Sequence, residues 1–297
     1  MNKRTLAILS ALGATTIYGL NHTIAKGEMP LYIKPFGFIM LRVIGACILF
    51  WSVSLLGPKE KVERSDWGRF LLCAIFGMVI NMLAFFKGLD LSTPINSAVL
   101  ITTTPILVVV LSIFLIKERV RLSRAMGILL GLVGALILVL YGQEIRADAP
   151  NIPLGNTLFL VNSTSFALYL ILAKRLVEKY HVFTLMKWLF LIGLIINLPV
   201  ALPEFLEVDW LRLPSEAVLT MVFVVVGTTF CAYLFNVFAL TQLKASTVSS
   251  FIYIQPVIAI LFAVITGKDY LTAVKTGAAL LVLLGVYLVS RRRIPDQ

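Results

Sequence analysis

The chain has 297 residues, 59% of them hydrophobic and only 14% charged, with a mean hydropathy of +0.95. A soluble domain carries about 25% charged residues, so this chain lacks the polar surface to live in water and takes a bilayer as its solvent. The formal net charge of +11 does not indicate nucleic acid, because the basic residues are scattered over short loops and form no contiguous basic run.

A spanning helix needs about 20 mostly apolar residues, and ten such segments follow in order. The first, 5–25, continues past an apolar start into Tyr18-Gly19 and is read as an uncleaved span rather than a signal peptide. It is followed by 35–56, which holds Arg42, and 67–88, which holds Asn81 and Phe85. The fourth, 91–116, carries Thr102-Thr103-Thr104-Pro105 near its middle, and the fifth, 122–142, is marked by Gly127, Gly131 and Gly134. The second half opens with 153–174, holding Asn162 and Tyr169, then 183–203 and 215–240, the last holding Phe230 and Asn236. The ninth, 244–266, carries Tyr253 and Gln255-Pro256, and the tenth, 271–290, has Gly277 and Gly285. No connection is long enough for a domain outside the membrane. Cys47, Cys73 and Cys231 lie in apolar runs without CxxC spacing, as packed thiols do.

Residues 92–118 and 243–269 are versions of each other. Thr104-Pro105 and Gln255-Pro256 are offset by 151, as are Lys117-Glu118 and Lys268-Asp269. The chain therefore divides into two five-helix repeats, 1–148 and 149–297. Five is odd, so the second repeat enters the membrane from the opposite side, and inverted repeats of this kind enclose substrate near the midplane. With the N-terminus inside, eighteen Lys and Arg fall on inner segments and seven on outer ones, with Arg42 inside a span. Both termini are then cytoplasmic.

Four stretches resemble the EamA-type branch of the drug/metabolite transporter superfamily. They are Tyr18-Gly19-Leu20-Asn21-His22-Thr23-Ile24-Ala25-Lys26, Arg42 early in the second helix, the Ala98–Pro105 segment, and Glu118-Arg119-Val120 ahead of the Gly-rich 127–140. The second copy echoes the last in Asp269-Tyr270-Leu271 and 277–290. The resemblance implies an all-α integral membrane protein of ten helices, transport of small organic metabolites, often efflux, and a cavity lined by helices 1, 3, 4, 6, 8 and 9. The sequence departs from that pattern where Asp269 replaces a second glutamate and where no arginine in the second copy matches Arg42.

Candidate substrate-binding residues are Tyr18, Asn21, His22, Arg42, Asn81, Phe85, Thr102, Thr103, Thr104, Asn162, Tyr169, Phe230, Tyr253 and Gln255. Pro105 and Pro256 are candidate kinks, since proline removes a backbone donor and frees a carbonyl one turn earlier. Two readings stand for the kinks: a bend whose threonines satisfy the backbone, or polar groups turned to a cavity. Arg42 likewise either anchors protein groups or attracts an anionic solute. Lys87 with Asp90 reads as a rim pair, and Asp269 with Lys268 as a loop pair. No acid lies inside a span, so proton coupling falls to His22 or a rim acid, or the carrier is uncoupled.

The expected partners are a small-molecule solute and the bilayer, with no nucleic acid, cofactor or metal. The chain is a monomer or a homodimer through helices 5 and 10. The expected location is a bacterial cytoplasmic membrane, with a plastid or other eukaryotic membrane as the alternative. An enzyme is disfavoured because HExxH, GxSxG and an intramembrane acid pair are all missing from the sequence. A non-transporting membrane sensor is the remaining alternative.

Overall fold

The computed structural model describes residues 3–116, 122–141, 147–243, 248 and 251–290. It is helical throughout, with no strand among the described residues. The helices are α1 (Lys3–Glu28), α2 (Pro35–Ser54), α3 (Arg64–Leu91), α4 (Pro94–Ile101, then Thr104–Ile116) and α5 (Leu122–Tyr141). They continue as α6 (Ile152–Lys179), α7 (Val182–Leu206), α8 (Ser215–Gln242), α9 (Gln255–Ile265, entered through a 3-10 turn Ile252–Ile254) and α10 (Ala273–Ser290).

Six of these are long and apolar enough to cross a membrane: α2, α3, α4, α6, α7 and α8. α1 has the length but not the apolarity, because it buries Thr15, Asn21, His22, Thr23 and Lys26 on its inward side. In α5, α9 and α10 the described apolar stretches are shorter. The Lys117 and Glu118-Arg119-Val120 motif lies outside the described residues.

Helix starts follow local chemistry. Pro35 and Pro94 occupy first turns, where proline's missing N–H costs nothing. The Thr93 side chain accepts from Asn96 N at 3.3 Å, and the Asn151 side chain accepts from Leu154 N at 3.2 Å, each satisfying an orphan donor. Between α9 and α10, Gly267 takes φ 64°, and Lys268 N donates back to Ala263 O at 3.0 Å, so the left-handed residue closes the helix end.

The proline pairs do more than kink. Backbone regularity is lost at Thr102 and Thr103, and Pro105 is the second residue of a new helical segment. Pro256 likewise stands in the first turn of α9, behind the 3-10 turn. Proline is tolerated in a first turn and not in an interior, so α4 is two helices in line where the sequence suggested one bent helix.

Two further irregularities have no sequence signal. α3 contains a π-helical turn at Ile75–Ile80 and α8 one at Phe223–Cys231. Ser165 of α6 donates its hydroxyl to Phe76 O at 2.7 Å, and Thr228 and Thr229 both donate to Val224 O at 2.7 Å, so each turn has a carbonyl served by a hydroxyl.

Helix α2 packs along α7, α5 along α10, α1 on α8 and α9, and α6 on α3 and α4. Phe38, Phe50, Phe86, Phe159 and Phe190 fill the interior, with Phe50 and Phe190 stacked at 5.2 Å. Leu129, Leu136, Leu219 and Leu280 are exposed, as an apolar outer surface in lipid allows. The glycines of α5 and α10 meet within one chain. A Cβ on Gly285 would lie 2.5 Å from Gly131 N, and one on Gly134 would lie 2.9 Å from Ala278 O, so only glycine permits the approach.

Candidate functional site

A cavity of about 130 Å³ lies between α1, α2, α3, α4, α6, α8 and the start of α9. A water needs roughly 10–15 Å³ on such a measure, so the space holds several waters or one small solute. Ten of the fourteen candidate residues line it: Tyr18, Asn21, His22, Arg42, Asn81, Phe85, Thr104, Asn162, Tyr169 and Gln255.

His22 is the centre of the polar wall. It is 1% exposed, and its Nε2 lies 2.8 Å from Gln255 Nε2. Its Nδ1 meets Ser97 Oγ, and Ser97 donates in turn to Pro94 O at 3.1 Å. As placed, the Gln255 amide donates to a neutral ring that carries its proton on Nδ1. The edge of that ring packs on Phe85 at 5.6 Å. One turn away, Asn21 is 3% exposed and its Oδ1 has no hydrogen-bond partner among the described residues. Tyr18 bonds to the side chain of Asn236 and stands edge-on to Tyr233 at 6.5 Å.

Across the cavity, Asn81 and Asn162 tie α3 to α6. Asn162 Nδ2 donates to Asn81 O at 2.8 Å, and Asn81 Nδ2 to Asn162 O at 3.3 Å. Tyr169 reaches its place because Gly77, inside the π turn of α3, has no side chain; a Cβ there would sit 2.6 Å from the tyrosine ring. Arg42 enters from α2, donates from Nε to Thr229 Oγ1 at 2.8 Å and lies 5.0 Å from the centre of the Phe86 ring.

The other four candidates lie outside the lining. Thr102 and Thr103 are buried, and each returns its hydroxyl to its own helix, to Val99 O at 2.5 Å and Leu100 O at 2.7 Å. These two satisfy backbone freed at the α4 break. Phe230 packs on Phe50 at 4.8 Å, and Tyr253 is partly buried against the hydrophobic core. Tyr233 is the main lining residue the sequence reading missed. Its signal was the helical step of three to Asn236.

Above His22 is a closed polar layer. Lys26 donates to the carbonyls of Leu89 (2.8 Å), Asp90 (2.9 Å) and Asp148. Ser92 donates to Asn156 Oδ1 at 2.6 Å. Asp269 pairs with Lys275, not with its neighbour Lys268 as a loop pair would: Nζ lies 3.0 Å from Oδ1, with both side chains 0% exposed. Its Oδ2 accepts from Ile95 N at 3.0 Å, at the N-terminus of α4. Lys87 and Asp90 form the expected rim pair at 2.8 Å.

Similar proteins carry the same architecture. The chain matches the EamA-like transporter family over residues 5–140 and 153–291. It is 27% identical to an uncharacterized transporter of Archaeoglobus fulgidus, over 94% of this chain and 96% of that protein. It is 22% identical to the uncharacterized transporter YyaM of Bacillus subtilis, over 94% of this chain and 92% of the relative. A solved crystal structure superposes with a TM-score of 0.66 at 18% identity, covering 96% of this chain and 97% of that one, a likeness of fold. The family match spans both halves of a chain whose apolar helices suit a bilayer, and this multi-pass membrane protein belongs to the EamA-like transporter family.

Proposed function

We propose that the chain carries small organic solutes, amino acids or related polar and amphipathic metabolites, across a bacterial cytoplasmic membrane by alternating access, in the export direction. One observation carries this reading: a cavity with both polar and aromatic walls, enclosed where α4 and α9 are interrupted and joined through His22. Helices broken at mid-membrane are tolerated where they line a cavity.

In this reading α1–α10 are ten crossings, arranged as inverted repeats 1–148 and 149–297 with both termini cytoplasmic. The packing supports it. Exchanging the two sets of five helices carries the α1–α8 and α1–α9 contacts onto α6–α3 and α6–α4, and leaves α2–α7 and α5–α10 in place. The paired π turns in α3 and α8 obey the same exchange. The export direction rests on the resemblance of the first-helix and proline motifs. A monomer suffices, since the α5 and α10 glycines are used within one chain.

A second reading, an uncoupled or channel-like carrier, is favoured by the lining itself. Among the described residues no Asp or Glu lines the cavity, so a mid-membrane carboxylate relay is not at hand. Proteoliposomes separate the two. Counterflow of an amino-acid mixture with trans-stimulation supports alternating access, non-saturating leak supports the channel-like form, and no flux of any solute in the mixture sinks both.

A further inference from the structure

Arg42 is 5% exposed, lines the cavity, and has no carboxylate partner among the described residues. Its guanidinium stays charged at any physiological pH. A buried lone cation is costly unless something compensates it. The compensation here is partial. The Thr229 hydroxyl commits its proton to Val224 O, so its lone pair accepts from Nε. The Phe86 ring offers its face. Tyr18 and Tyr233 are the titratable groups that face it. Held by one edge, the guanidinium keeps both terminal NH2 groups uncommitted among the described residues.

From this we infer that Arg42 is the anion subsite of the cavity and takes the carboxylate of the transported solute. The inference deepens the transport reading and rests on it for the word "transported". The planar fork matches a carboxylate edge with two parallel bonds. A phosphate dianion fits less well: Arg42 is the one lysine or arginine lining the cavity among the described residues, and one cation balances one negative charge. A second, independent observation points to a ligand. The buried Asn21 Oδ1 has no donor, so a group on the solute that donates a hydrogen bond completes the wall. Anchoring through Thr229 also places the subsite on the π turn of α8, an element that packs on α2.

The test is thermal unfolding of the full chain in detergent with four probes of one carbon skeleton: L-leucine, 4-methylpentanoate, L-leucinamide and isoamylamine. The two carboxylates raise the midpoint by about 3 °C or more at saturation, and the amide and the amine leave it unchanged. Arg42→Gln loses the shift. Thr229→Asp keeps the arginine but supplies an internal carboxylate, and it also loses the shift while remaining folded. Equal shifts from the amide or amine, a carboxylate shift that survives Thr229→Asp, or no shift from either carboxylate overturns the subsite. Flux in proteoliposomes separates this outcome from the transport reading. Flux without carboxylate preference sinks the subsite alone, and carboxylate binding without flux sinks transport and leaves the subsite.

Discussion

His22 Nε2 and Gln255 Nε2 stand 2.8 Å apart, although 233 residues separate them. Together with the Ser97 contact, this makes one imidazole the joint between the two interrupted helices α4 and α9. The polar groups at that joint are buried, so each relies on the other for its hydrogen bond.

Removing the ring strands both partners. His22→Ala leaves the Gln255 amide without its acceptor and Ser97 without its donor, at a cost of about 1–3 kcal/mol in stability. Gln255→Leu keeps the volume and deletes the bond. Both variants lower solute flux by roughly tenfold, which corresponds to about 1.4 kcal/mol. Flux per folded molecule, normalised by size-exclusion peak area, is the measurement; unchanged flux in Gln255→Leu removes the joint from the transport path.

Thr103 gives the opposite expectation. Its hydroxyl bonds Leu100 O in its own helix and does not line the cavity. Thr103→Val therefore costs about 1 kcal/mol in stability and leaves flux within about twofold. A tenfold loss of flux with an unchanged unfolding midpoint contradicts this placement.

Asp269 and Lys275 form a wholly buried ion pair that also holds the start of α4 through Ile95 N. Breaking such a pair from one side leaves an uncompensated charge, at about 3–5 kcal/mol. Asp269→Asn and Lys275→Met each lower the midpoint sharply. The double variant is less damaged than the sum of the two, and a thermal double-mutant cycle reads the difference. Additive losses mean the two groups do not interact.

Gly285 and Gly277 share α10 but not their surroundings. A Cβ at 285 meets the α5 backbone at Gly131 N and Gly127 O, whereas nothing lies within 4 Å of one at 277. Gly285→Ala forces α5 and α10 apart, at about 1–3 kcal/mol. Gly277→Ala is neutral or stabilising by up to about 1 kcal/mol, since alanine is the better helix former. Parallel thermal melts of the two variants decide it, and equal effects refute the close approach.

Much of this arrangement was legible because lipid enforces it. Each apolar segment had to become a helix, and polar residues inside those segments had to find protein or a cavity. Tyr18, Asn21, His22 and Arg42 were visible as polar residues in apolar runs, and they do line the cavity. Thr102 and Thr103 looked the same in sequence, yet an irregular backbone can absorb hydroxyls, and it took these two. Phe230 shows a different limit. Ordinary helical steps run from Tyr233 through Asn236, Val237 and Leu240, all facing the cavity, and one more step back reaches Phe230. That step falls inside the π turn at Phe223–Cys231, where the angular spacing changes, and the ring goes to Phe50 instead. Tyr253 sits in the 3-10 turn before α9, where spacing changes again.

A π turn is a surplus of one residue wound into a helix. Deleting a single residue from Ile75–Ile80 would let α3 rewind as regular helix, and everything downstream would swing by about 100° around the axis. Asn81, Met82 and Phe85 would leave the cavity together, with no change in any of their identities. What faces the solute is thus fixed by chain arithmetic as firmly as by chemistry, and gaining or losing one residue there would re-wall the chamber in a single step.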